Sequence, residues 1–224
     1  AQRPDQLITI SQTTRRQIQK YYHRDAHVIY PPVNTDFFKP RLRADRPLDE
    51  NPATNGYFLI VSRLVPHKHL ELAIQAFNRL KLPLKIIGTG KHAPVLRRLA
   101  GPTIEFLGQL TDAQLLYSYQ HCRALIFPGA EPFGLTMAEA QACGKPVIAL
   151  NQGGATEIIL DGQTGLLFNQ PTPASLIQAI KAFKPEAFDP NQCRHNALRF
   201  SLDNFHRHMR QYVLTSWDRY QQQL

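Results

Sequence analysis

The sequence predicts an α/β protein built on a Rossmann-like, doubly wound parallel sheet, and two observations carry that expectation. Short apolar runs rich in β-branched residues alternate with segments of helical periodicity, the order produced by parallel strands covered with helices. Several of those runs also end in glycine-bearing loops that lead into a helix, at the edge where doubly wound sheets bind ligands. With 224 residues the chain is long enough for one substantial core, or for one domain and part of another.

In chain order the expected strands are residues 7–11, 28–30, 57–62, 84–88, 104–107, 124–127, 147–150 and 166–168. Residues 70–80 set Leu70, Ala73, Ile74, Phe77 and Leu80 at helical spacing, which predicts a helix with one apolar face. A second helix is expected over 112–122, with Thr111 as its cap ahead of Leu115, Leu116 and Tyr119. Pro31 and Pro32 impose an extended path, and the polar stretch 41–55 follows. Three parts are therefore expected. Residues 1–33 hold a strand, a helix and a short strand that belong with an earlier domain and the crossing from it. Residues 34–200 form a complete ligand-binding domain, and 201–224 a terminal helix. That helix carries Phe205, Met209, Tyr212 and Val213 on an apolar face that needs a partner. Without one, pairing of two copies of the chain is expected.

Composition narrows the function classes. With 43% hydrophobic and 19% charged residues, and no apolar run long enough to cross a bilayer, the chain reads as an ordinary globular protein. Its first residues, AQRPDQLITIS, lack the basic start and apolar stretch of a secretory signal, so a cytoplasmic location is expected. Cys122, Cys143 and Cys193 are odd in number and lack CxxC spacing, which argues against disulfides and a zinc site. The net charge of +9 implies an anionic partner. Its basic residues are scattered, without a basic helix or an aromatic-rich nucleic-acid signature, so no nucleic-acid partner is expected.

Three loops carry candidate chemistry. Glu131-Pro132-Phe133-Gly134-Leu135-Thr136-Met137-Ala138-Glu139 follows the strand at 124–127 and starts a helix. The amides of Gly134, Leu135 and Thr136 at that helix N-terminus suit an anion, while Glu131 and Glu139 suit hydroxyl groups, for which a carboxylate is a strong acceptor. The plainer alternative makes Glu139 a first-turn residue favoured by the helix dipole and Glu131 a solvated loop acid. Arg63 and Lys68 leave the strand at 57–62 on the next loop, where together they would neutralise a diphosphate, or else stand as two solvated surface cations. Gly88 and Gly90, after LKII, form a turn where main chain can approach a ligand or simply turn tightly. The stretch from Phe106 to Leu110 ends another strand, and its backbone is placed to pair with the edge of a base. Gly153 to Glu157 reads as a structural helix start.

The segments VSRLVPHKHLELAIQAF, LKIIGTG, IEFLGQL, ALIFPGAEPFGLTMAEAQACGKPVIA and GGATEIILDGQTGLLF, in this order, resemble the C-terminal, donor-binding domain of the large group 1 (family 4 type) retaining glycosyltransferases, which is one half of a GT-B fold. Residues 7–33 are similar to the same family's last N-domain unit and interdomain crossing. The resemblance implies transfer of a hexose, with mannose from GDP-mannose the leading choice, to a glycan or lipid-linked acceptor in polysaccharide or glycolipid synthesis. It implies that Arg63 and Lys68 bind the diphosphate, Glu131 the hydroxyls of the transferred sugar and Glu139 the ribose. Gly88, Gly90, Leu110, Phe133, Gly134, Leu135 and Thr136 complete the implied donor site, with Arg63, Lys68 and Glu131 acting in catalysis. No Asp-x-Asp occurs, so neither metal nor cofactor is expected beyond the nucleoside-diphosphate sugar itself. The family's N-terminal domain is expected as a missing partner, without which this chain is inactive. A lipid-linked acceptor would bring the protein to the inner face of the membrane. The alternatives are a non-catalytic nucleotide-sugar-binding module and a nucleotide-sugar epimerase of the same general fold.

Overall fold

The computed structural model describes residues 4–41 and 56–222. Most of the polar stretch read as a linker, from residue 42 to 55, lies outside the described residues. The chain runs β1 (Ile8–Thr9), α1 (Gln12–Tyr22) and β2 (His27–Val28), then β3 (Phe58–Val61), α2 (Leu70–Leu80), β4 (Leu84–Ile87), α3 (Ala93–Leu99), β5 (Ile104–Gly108), α4 (Asp112–His121) and β6 (Ala124–Phe127). It continues with α5 (Leu135–Ala142), β7 (Val147–Leu150), α6 (Ala155–Ile158), β8 (Gly165–Phe168), α7 (Pro173–Ala182), α8 (Pro190–Leu198) and α9 (Leu202–Gln221). Each expected strand is present: those at 124–127 and 147–150 match to the residue, and the others differ by one to three residues in length.

Strands β3 to β8 form one parallel sheet in the order β5-β4-β3-β6-β7-β8. This is the doubly wound order, with its reversal between β3 and β6. The alternation of side chains explains why both faces are covered. Phe58 and Ile60 enter the core beneath α2 and α7, while Leu59 and Leu125 enter the one beneath α4, α5 and α8. Helix α2 starts and ends at left-handed residues, His69 and Lys81, and buries Leu70, Ala73, Ile74 and Phe77 as its periodicity requires. Thr111 caps α4 through a capping box with Gln114. All three cysteines are free and buried, and burial pushes the Cys122 and Cys193 thiols up to about 12.

The two ends of the chain meet. β1 pairs in parallel with β2, and α9 runs beside them: the Tyr212 ring stacks on His27 at 4.5 Å, and its hydroxyl donates to Gln6 at 3.0 Å. The Val33 amide donates to the Phe200 carbonyl at 2.8 Å, which joins the crossing to the end of the body. Helix α9 buries no residue fully. Phe205, Met209 and Tyr212 are half-buried on its inner side, as the spacing predicts. Val213 is not: it is 53% exposed and belongs to an outer stripe with Trp217 and Tyr220, because one residue beyond Tyr212 the helix has turned by about 100°.

Candidate donor site at the sheet reversal

At the reversal β3 and β6 pair through Phe58 with Ala124 and Leu59 with Leu125, near their N-terminal ends. Their C-terminal ends lead into the two loops that the sequence singled out. An open cleft of about 370 Å³ lies there, lined by Arg63 and Lys68 from the first loop, and by Glu131, Phe133, Gly134, Leu135 and Thr136 from the second. Ile10 and Pro31, from the N-terminal unit, supply a further wall that the sequence reading missed. The adjacent Tyr30-Pro31 crossing was the available signal. Larger clefts lie along α9, the widest lined by residues such as Ile8, Val213 and Trp217, away from these loops.

Lys68 ends a short 3-10 turn, Pro66–Lys68, and its side chain is only 10% exposed. It makes an ion pair with Glu131 across the cleft floor. A buried ammonium needs such a partner, so Lys68 is not the solvated surface cation of the plainer reading, and Glu131 is not a solvated loop acid. Arg63 is exposed on the cleft wall. Gly134 caps α5 with φ at +104°, a left-handed conformation that a side chain strains, and the first-turn amides of Leu135 and Thr136 have no partner within the helix. Phe133 is 3% exposed, with its ring packed on Tyr30 and Phe200, so it serves the cleft as a wall fixed from behind.

Glu139 lies in the second turn of α5, which has no acid in its first turn, so the dipole explanation does not apply. Its carboxylate accepts from the Tyr119 hydroxyl at 2.7 Å. Burial raises its pKa; the Tyr119 hydrogen bond opposes this, and Asp112 adds to it. The Tyr119 hydroxyl is held well above its usual range by burial and by Glu139. A desolvated acid aligned by a fixed phenol is a strong acceptor for hydroxyl groups. Leu110 is half-buried against the core under α4, beside the Thr111 cap, and like Glu139 it stands outside the cleft.

Gly88 and Gly90 hold two loops in close contact. They do not line the cleft. Their loop is stitched to the Arg63 loop, Ser62 donating to Ile87 at 3.0 Å and Leu64 to Thr89 at 2.9 Å. A Cβ at Gly88 would stand 1.9 Å from the Ser62 carbonyl oxygen, and one at Gly90 2.2 Å from that of Leu64. These glycines let two loops touch backbone to backbone. Gly153 and Gly154 do the same for the acid loop: the Gly154 amide donates to the Glu131 carbonyl at 2.7 Å, and a Cβ there would lie 1.9 Å from the Phe133 oxygen. Among the described residues no group of three or more His, Cys, Asp or Glu side chains is placed to hold a metal ion, and no helix is long and apolar enough to cross a membrane.

Residues 43–200 match the family described as glycosyl transferases group 1. The chain belongs to this family. Among its relatives, an uncharacterised glycosyltransferase of Methanocaldococcus jannaschii is 29% identical over 181 residues, covering 79% of this chain and 48% of that protein. A GDP-mannose-dependent alpha-mannosyltransferase of Mycolicibacterium smegmatis is 37% identical over 110 residues, or 49% of this chain and 29% of that one. Among solved structures, Anabaena HepE in complex with UDP and glucose superposes with a TM-score of 0.79 at 22% identity, covering 93% of this chain and 62% of that one. The chain thus has the fold of one half of a GT-B protein and spans about half the length of the curated relatives it matches.

Proposed function

We propose that this chain binds a nucleoside-diphosphate sugar and, together with an acceptor-binding domain, transfers its hexose with retention to a glycan or lipid-linked acceptor. The observation that supports this best is the convergence at the sheet reversal of an exposed guanidinium, a buried ammonium–carboxylate pair and the first amides of α5. Departure of a nucleoside diphosphate builds charge on the leaving phosphate oxygens. Arg63 accepts that charge through a bidentate contact, and the amides of Gly134, Leu135 and Thr136 through the helix terminus. Lys68 keeps hydrogens free beside its Glu131 contact and serves both groups: it orients the carboxylate toward sugar hydroxyls and faces the phosphates as a point charge. Glu139, aligned by Tyr119, takes the ribose hydroxyls, and the chain from Phe106 to Leu110 takes the base.

The leading donor is GDP-mannose, supported by the likeness to the mannosyltransferase of Mycolicibacterium smegmatis. Residues 1–33 and α9 are assigned to the junction with the acceptor domain, and the assembled protein to the cytoplasmic side of a membrane if its acceptor is lipid-linked. Calorimetric titration with GDP and with UDP, in chelator and without magnesium, tests the reading. GDP binding without metal, weakening as salt rises, is the expected result. Failure of both nucleotides to bind would overturn the donor assignment, and a requirement for a divalent ion would overturn the metal-free mechanism.

A further inference from the structure

Glu157 does not line the cleft, yet its carboxylate accepts four hydrogen bonds. Its oxygens accept from the Gln12 amide at 2.8 Å, the Thr13 amide at 3.0 Å, the Thr13 hydroxyl at 3.1 Å and the Tyr30 hydroxyl at 3.1 Å. The two amides open α1, so an acid from the body supplies the charge that this helix end favours and that its own first turn lacks. Glu157 itself sits on α6, whose leading glycines rest on the backbone of Glu131 and Phe133. Tyr30 closes the circuit, because its ring packs on Phe133 with centroids 5.7 Å apart. The N-terminal unit and the acid loop are thus joined through one carboxylate, and each provides a wall of the same cleft.

We propose that Glu157 is a positioning residue for the donor site: by tying the start of α1 and Tyr30 to α6, it sets the spacing between the Ile10–Pro31 wall and the Glu131 loop. This rests on reading the cleft as the donor site. Neutral partners would hold the unit less firmly, since hydrogen bonds to an ionised acceptor are the stronger kind.

The test uses the full chain with Glu157→Ala, Glu157→Gln and Tyr30→Phe, each followed by amide hydrogen exchange resolved by residue and by titration with GDP and UDP. Glu157→Ala is expected to speed exchange at Gln12 and Thr13 and also at Phe133, Gly134, Leu135 and Thr136. It should weaken nucleotide binding about tenfold, the scale of one lost charge-assisted contact. Glu157→Gln keeps one accepting oxygen and should recover part of both effects. Faster exchange confined to residues 12 and 13, with the acid loop and the nucleotide affinity unchanged, would reduce Glu157 to a local cap and overturn the proposal. Should the alanine variant fail to fold, Tyr30→Phe removes a single hydroxyl and carries the same comparison with smaller changes. A wild-type chain that binds neither nucleotide defeats the donor reading, while the exchange data still decide whether Glu157 couples the two walls.

Discussion

Helix α2 buries six of its residues against the sheet, whereas α1 and the much longer α9 bury none. The body is held by apolar packing on both faces of a parallel sheet. The joined termini are held by the Glu157 bonds, the Arg15–Asp25 ion pair and the stack of Tyr212 on His27. Hydrophobic burial is strong and tolerant of geometry, while polar contacts at a surface are weaker and directional. The contrast teaches that the cleft has one side set by the buried sheet, and another held by the smaller apolar contacts of Ile29, Tyr30 and Val33 together with directional polar bonds.

The largest expected effect lies in the body. Phe77→Ala empties a fully buried site and should lower stability by about 3–5 kcal/mol, read from urea unfolding. A loss under about 1 kcal/mol, ordinary for a surface change, would erase the contrast with the termini. At the cleft, Arg63→Ala together with Lys68→Ala should remove roughly 2–5 kcal/mol of GDP binding measured by calorimetry. The single variants separate two roles. Arg63→Ala should leave the melting temperature unchanged, because the side chain is exposed, whereas Lys68→Ala should lower it by leaving Glu131 half-buried without its ammonium.

Glu139→Gln is expected to act in opposite directions on stability and on binding. Because burial raises the folded-state pKa of Glu139, the native state favours its protonated form. The wild-type chain therefore loses stability as pH rises from the ordinary carboxylate range through that raised value. Glutamine keeps an acceptor for Tyr119 without the charge, so it should flatten this pH dependence and raise the melting temperature at neutral pH while weakening nucleotide binding. An unchanged affinity would remove Glu139 from the donor site. The smallest effect is expected from Val213→Ser with Trp217→Ser on the outer stripe of α9: under about 0.5 kcal/mol of stability, as for other surface positions, with any concentration-dependent sedimentation of the chain reduced. A large loss of stability would show that α9 belongs to the body.

The sequence made the sheet legible for a physical reason. Strands covered on both faces appear as unbroken apolar runs, such as ALIF at 124–127 and VIAL at 147–150, and such runs have few alternatives between turn residues. The two cleft loops were legible because they follow those strands directly. What stayed hidden was pairing at long range. Nothing in the neighbourhood of Lys68 announces Glu131, Tyr119 reads as one more apolar helix position until its hydroxyl meets Glu139, and Glu157 looks like an ordinary helix acid until it meets Gln12 and Thr13. Gly88 and Gly90 were legible only as a place of close approach. A glycine needed for close approach carries no mark of whether its neighbour is a ligand or another loop.

The sheet order also bears on how fast the chain reaches this state. β3, β4 and β5 pair with neighbours in sequence, and so do β6, β7 and β8, so each half can assemble over single helical crossovers. The pairing of Phe58 with Ala124 closes a loop containing the whole first half of the sheet, and it gains little until that half exists. Joining the halves is then expected to be the slow event in folding. The cleft opens along this same joint, so it is expected to be among the last features of the molecule to form.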